Sequence, residues 1–118
     1  MSYSGLSIAR EELEDAVVLS AQGFLDLSTR LKLSTALSEV VTSDGRAVVV
    51  DLCDVTFLDS TGLGVLMNAL RRLTRQSRQL RIVCPPGNIR RIFELSGLDG
   101  TFSLHDSREQ ALTSVAPG

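Results

Sequence analysis

The chain has 118 residues, of which 43% are hydrophobic and 22% charged, with 4% aromatic residues, no Trp and a formal net charge of −2. That is the size and composition of one globular domain with an aliphatic core, and it excludes a disordered chain, a collagen-like repeat and a disulfide-dense miniprotein. The acidic balance argues against binding nucleic acid directly through its phosphates and against an electrostatic membrane anchor.

Apolar runs such as residues 47–50 fall far short of a membrane span, which needs roughly 20 residues. Residues 1–11 carry no secretory pattern, so the cytoplasm is the expected compartment. Charge is unevenly placed. Glu11, Glu12, Glu14 and Asp15 cluster near the start, and Arg71, Arg72, Arg75, Arg78, Arg81, Arg90 and Arg91 crowd one later stretch. Such patches read as solvated faces.

In chain order, Leu6, Ile8 and Arg10 alternate with smaller or polar neighbours and predict a short edge strand. Residues 16–21 predict a second strand that ends at Gly23, with Glu14-Asp15 as the hairpin tip. Leu33, Ala36, Leu37, Val40 and Val41 share one helical face within residues 27–43. Asp26 or Ser28 is suited to cap that helix, and Ser43-Asp44-Gly45 to stop it. Residues 47–52, nearly all apolar, read as a strand buried on both faces.

A helix over residues 61–76 follows, carrying Leu63, Leu66, Met67, Leu70 and Leu73, and then a buried strand over residues 80–84. Pro85-Pro86-Gly87 breaks the chain. Ile89, Ile92 and Phe93 mark a short helix that Gly97 terminates. Residues 101–104 suit a last short strand. Asp106 and Glu109 resemble a capping box for a final helix with Ala111, Leu112 and Val115 on its face. Strands alternating with helices predict an α/β domain: a four- or five-stranded mixed sheet with an antiparallel N-terminal hairpin and flanking helices, one domain over residues 1–118 with its core at about 6–115. In such sheets, function gathers beyond the C-terminal ends of the parallel strands.

Cys53 and Cys84 each end an apolar run and read as buried thiols near strand ends. Two Cys and the single His105 do not make the usual four ligands of a structural zinc site, and no metal or cofactor is expected.

The most informative stretch is residues 50–64, an apolar strand entering a turn and then a helix that opens with Ser60 and Thr61. A hydroxyl there either caps the helix or, once phosphorylated, places an anion where unpaired first-turn amides tolerate it. Gly62 and Gly64 are each unfavourable in a helix by roughly 1 kcal/mol relative to Ala. Bulk is therefore excluded here, either by close packing or by a partner's backbone.

Asp59-Ser60-Thr61-Gly62-Leu63-Gly64, preceded by the strand and Asp54, resembles the D-S-[ST]-G-L-G motif of the anti-sigma factor antagonists, bacterial proteins of the STAS domain family. Gly23-Phe24-Leu25-Asp26 sits where that family has a Gly-Glu-Leu-Asp turn, and residues 92–98 resemble its Φ-F-x-Φ-S-G-L segment, with Φ apolar. The resemblance implies a STAS fold and a non-enzymatic role. The protein would bind an anti-sigma factor that is also a serine kinase and thereby release the sigma factor. Phosphorylation at Ser60, rather than Thr61, would break the complex, and a serine phosphatase would reset it. Phe24, Asp26 and residues 59–64 (Asp59, Ser60, Thr61, Gly62, Leu63 and Gly64) would face the partner. Phe24 replaces the family's Glu and so bears on partner choice.

The alternative within the resemblance is a STAS interaction subunit of a stress-signalling scaffold or of a lipid or anion transport complex. A hydrolase reading is weak: Ser60 lacks a Gly-x-Ser-x-Gly context, and His105, its one available base, is expected on a distant strand end. There is no Lys-Ser/Thr phosphate loop either.

Overall fold

The computed structural model describes residues 5–113. The elements are β1 (Leu6–Glu12), β2 (Ala16–Leu25), α1 (Arg30–Val41), β3 (Ala47–Leu58), α2 (Ser60–Arg75), β4 (Leu80–Val83), α3 (Asn88–Leu95), β5 (Ser103–His105) and α4 (Arg108–Thr113). The five strands form one sheet in the order β1-β2-β3-β4-β5. β1 is antiparallel to β2 and every other pair is parallel. The expected Val115 contact of the last helix lies outside the described residues.

Alternation along the strands divides the core. Val17, Leu19, Val48, Val50, Leu80 and Ile82 pack on one face beneath Leu33 and Leu37 of α1, Leu66 and Leu73 of α2, and Phe93 of α3. Val18, Val49 and Val83 point the other way and meet Ala111 of α4. β3 is therefore apolar on both faces through Val50 because helices cover both sides of it.

Two strands run further than the hydrophobic pattern predicts. β2 passes through Gly23 to Leu25, and β3 continues six residues beyond Leu52. The register explains why. Ser20 pairs with Asp51 but Gln22 with Asp54, and Gly23 pairs with Val55 but Phe24 with Phe57. Each step inserts one extra residue into β3, a bulge that breaks the period of two. Burial along this arm then falls on Leu52, Val55 and Leu58, a spacing that does not read as a strand. The first bulge also turns Cys53 outward, so it is exposed rather than buried, while Cys84 is buried as expected. The Cys53 amide donates instead to the Asp51 carboxylate at 2.9 Å.

Gly23 does not end its strand. Its φ of +117° suits glycine, and an added Cβ would lie 2.2 Å from the Gly5 carbonyl oxygen. The arginine-rich stretch is likewise not one solvated face. Arg78 is buried, while Arg72, Arg81 and Arg90 are half-buried and hydrogen-bonded. At α4 the cap lies one residue later than expected: the Ser107 hydroxyl accepts from the Gln110 amide at 3.1 Å.

Candidate functional site

The bulged arm of β3 and the end of β2 carry two loops to the C-terminal edge of the sheet. There the Asp59 amide donates to the Leu25 carbonyl at 3.2 Å, joining the β3–α2 junction to the β2–α1 turn. That turn is fixed from within. The Asp26 carboxylate accepts from the Ser28 amide at 3.0 Å, the Ser28 hydroxyl at 2.6 Å and the Thr29 amide at 3.2 Å. These bonds, the Ser28 hydroxyl first, hold the Asp26 carboxyl below its usual range. Asp26 thus closes the turn rather than capping α1, whose N-cap position is Thr29. Buried Thr29 donates from its hydroxyl to the Phe24 carbonyl at 2.7 Å.

At the start of α2 the cap is Asp59, not a hydroxyl. Its carboxylate accepts from the Gly62 amide at 3.0 Å, and its carbonyl accepts from the Leu63 amide at 3.0 Å. This leaves the first helical residue, Ser60, exposed, and among the described residues its hydroxyl makes no hydrogen bond. Thr61, half-buried, is one residue further into the helix. The remaining motif residues divide. Leu63 and Gly62 are buried, so Leu63 faces the core rather than a partner. A Cβ on Gly62 would lie 2.7 Å from Leu58 Cδ1 and 2.9 Å from the Leu25 carbonyl oxygen. Gly64 is exposed, with open space where a Cβ would stand.

The structure therefore brings together Phe24, Asp26, Asp59, Ser60, Thr61 and Gly64 at one end of the sheet. It adds a residue that sequence reasoning missed. Phe57 pairs in register with Phe24, and both are exposed, at 47% and 39%. Opposite residues of parallel strands share a face, so the two rings extend one apolar ledge. Leu27, in the adjoining turn, is 68% exposed. The signal for Phe57 was present in the sequence: an apolar residue between Thr56 and Leu58 that no regular alternation buries.

Other candidates lie elsewhere. His105 Nε2 is 2.8 Å from the Ser103 hydroxyl and 3.3 Å from Arg81 Nη1, so its partners are β4 and β5 side chains rather than Ser60. Burial, and then Arg81, lower its pKa. Cys53 and Cys84 line a cleft of about 290 Å³ beside the β3 arm with Val55, Pro85 and Pro86. Desolvation raises both thiols, Cys53 to about 12 and Cys84 to about 11, so neither is an activated nucleophile. Among the described residues no cluster of three or more His, Cys, Asp or Glu could hold a metal ion, and no helix is long and apolar enough to cross a membrane.

The family model of the STAS domain matches residues 7–111. The chain belongs to the STAS domain family. The anti-sigma-F factor antagonist RsfB of Mycobacterium tuberculosis is 40% identical to it over 101 residues, covering 86% of this chain and 82% of RsfB. The anti-sigma-B factor antagonist of Listeria monocytogenes is 30% identical over 89 residues, covering 75% of this chain and 78% of that protein. Among solved structures, an anti-sigma factor antagonist from Mycobacterium paratuberculosis superposes with a TM-score of 0.87 at 32% identity, covering 97% of each chain. STAS relatives of this kind are regulatory binding proteins, and the end of the sheet that carries Ser60 suits such a role.

Proposed function

We propose that this chain is an anti-sigma factor antagonist whose docking is gated by the Ser60 hydroxyl. It acts in the cytoplasm as a single STAS domain, core about residues 6–115, binding an anti-sigma factor and so releasing the sigma factor. The anti-sigma factor is also the serine kinase that modifies Ser60, and a serine phosphatase restores the docking-competent form. The observation that carries the reading is that Ser60 is exposed, with no hydrogen bond to its hydroxyl among the described residues, on a helix whose cap is supplied by its neighbour. The hydroxyl is therefore free to be modified without dismantling the helix start.

The switch is electrostatic. Bare Ser60 is small and neutral, and a partner surface closes over it together with the Phe24–Phe57 ledge. A phosphate adds about −1.5 to −2 charges and three acceptor oxygens. It would stand beside the Asp59 carboxylate in a closing interface. Juxtaposing or stranding charge in this way costs several kcal/mol, and about 4 kcal/mol weakens binding near a thousandfold. The folded state tolerates the anion because the positive end of the α2 dipole lies there.

The test is incubation with the kinase and ATP, followed by mass spectrometry of the wild type and Ser60→Ala. One phosphate on the wild type and none on the variant is expected. A phosphate that persists on Ser60→Ala would move the acceptor to Thr61.

A further inference from the structure

β1 is the outer strand at one edge of the sheet, seven residues long and in unbroken register with β2. An edge strand offers main-chain groups to any strand that comes alongside. In an antiparallel pair, alternate residues turn those groups toward the neighbouring strand. Gly5 and Leu13 do so, the first accepting from the Phe24 amide and the second donating to the Ala16 carbonyl. By the same alternation Ile8, Arg10 and Glu12 turn their main-chain groups away from β2. Beside this edge, on the α1 side of the sheet, lies a groove of about 510 Å³. Ile8 and Leu19 line it from the sheet, and Leu31 and Ala36 from α1. Leu31 is 66% exposed there. Lys32 and Glu39, both exposed, line the same groove about two helical turns apart.

Edge and groove are self-complementary about a twofold axis perpendicular to the sheet. Such an axis pairs two copies of β1 antiparallel and keeps both α1 helices on one side of the joined sheet, running in opposite directions along the seam. Lys32 of each copy then faces Glu39 of the other, and each exposed Leu31 turns toward the other copy's groove. Charge also selects the register. An axis at Arg10 or at Glu11 would set a like charge directly opposite itself, which is destabilising. An axis at Ile8 would leave Glu11 and Glu12 without opposite residues. An axis at Ala9 pairs Ile8 with Arg10 and Ser7 with Glu11, and it engages the whole strand from Leu6 to Glu12.

We propose that this chain forms a homodimer by pairing β1 with β1 of a second copy around Ala9, which closes the two grooves against each other and joins two five-stranded sheets into one. The main-chain groups of Ile8 and Arg10 give the seam its hydrogen bonds, Leu31 its apolar contact, and the Lys32–Glu39 pairs its direction. Because the paired strands are antiparallel, the ends of the sheet that carry Ser60 point in opposite directions, and the seam covers neither.

The experiment is sedimentation equilibrium of the full chain, with melting curves to confirm that each variant is folded. The wild type is expected to be dimeric at about 100 μM. Leu31→Asp should weaken self-association at least tenfold. Lys32→Glu should weaken it several-fold, and the exchange Lys32→Glu with Glu39→Lys should restore it. Register is read by cross-linking on a Cys53→Ser background. Ala9 meets its own copy in a non-hydrogen-bonded pair, with Cα atoms about 4.5 Å apart, within reach of a disulfide. Ala9→Cys should therefore yield a covalent dimer under copper-phenanthroline oxidation, and Ser7→Cys should not. A wild-type chain that stays monomeric at that concentration would overturn the dimer. A dimer that keeps full strength in Leu31→Asp, or that fails to cross-link through Ala9→Cys, would overturn the β1 seam. An exchange variant no tighter than Lys32→Glu alone would overturn the antiparallel placement of the two α1 helices.

Discussion

The two ends of the sheet are built to opposite rules. At the N-terminal ends of the parallel strands, polar groups are consumed internally. Arg46 donates to Asp44 at 2.7 Å, to Glu12 at 2.8 Å and to the Leu13 carbonyl at 2.9 Å. Buried Arg78 donates to the carbonyls of Val40, Val41 and Arg46 at 3.1, 3.0 and 2.8 Å, satisfying the C-terminus of α1. At the C-terminal ends, Phe24, Phe57 and Leu27 are exposed, and among the described residues the Ser60 hydroxyl makes no hydrogen bond. One end is tied by its own side chains, whereas the other presents apolar surface and an exposed hydroxyl. On the proposed function, the second end is the one that offers a docking partner apolar surface to cover.

The largest effect that separates the ends is at Arg78. Arg78→Ala strands the α1 carbonyls and is expected to cost about 2–3 kcal/mol, read from denaturant unfolding. Anti-sigma factor affinity, measured where the variant remains folded, should not change. A variant that unfolds no more easily than wild type would break the contrast from the closed side.

At the open end the prediction inverts. Phe57→Ala and Phe24→Ala should each weaken partner binding about tenfold, equivalent to about 1.4 kcal/mol, with little change in stability. Calorimetric titration checks the first quantity and melting the second. Equal affinities would mean that the ledge lies outside the interface.

Asp59→Ala removes the α2 cap and is expected to cost about 1 kcal/mol, with fraying of the first turn visible by amide exchange at Gly62. Asp59→Asn keeps an acceptor for that amide and should recover most of the loss. Equal destabilisation by both variants would argue against the capping role.

The smallest effect belongs to His105. Its folded pKa is lowered from 6.5 by burial and by Arg81, so the unfolded chain binds the proton first. Its contribution is complete above pH 6.5 and declines as pH falls toward the folded value. Denaturant midpoints at about pH 7.5 and 5.5 should therefore differ more for wild type than for His105→Gln.

Much of this architecture is legible in the residues. The apolar runs at 16–21 and 47–52 and the helical stripes of α1 and α2 appear where periodicity puts them. The helix expected over residues 61–76 begins at Ser60, with Asp59 rather than a hydroxyl as its cap. What escaped periodicity has physical causes. Two bulges shift β3 from a period of two to a spacing of three, hiding residues 53–58 as strand and Phe57 as a surface aromatic. Arg78 looks like part of a charged face in sequence, because the carbonyls that hold it come from α1 and the segment before β3, some 32–38 residues away. The roles of Gly62 and Gly64 look identical in sequence and separate only when each Cβ is placed in space.

The most direct measurement is the affinity of the purified anti-sigma factor for two forms of this chain, one bare and one stoichiometrically phosphorylated at Ser60, with both confirmed folded by their melting curves. A loss of about a thousandfold with the fold preserved is expected. Equal affinity of the two folded forms would contradict the gate.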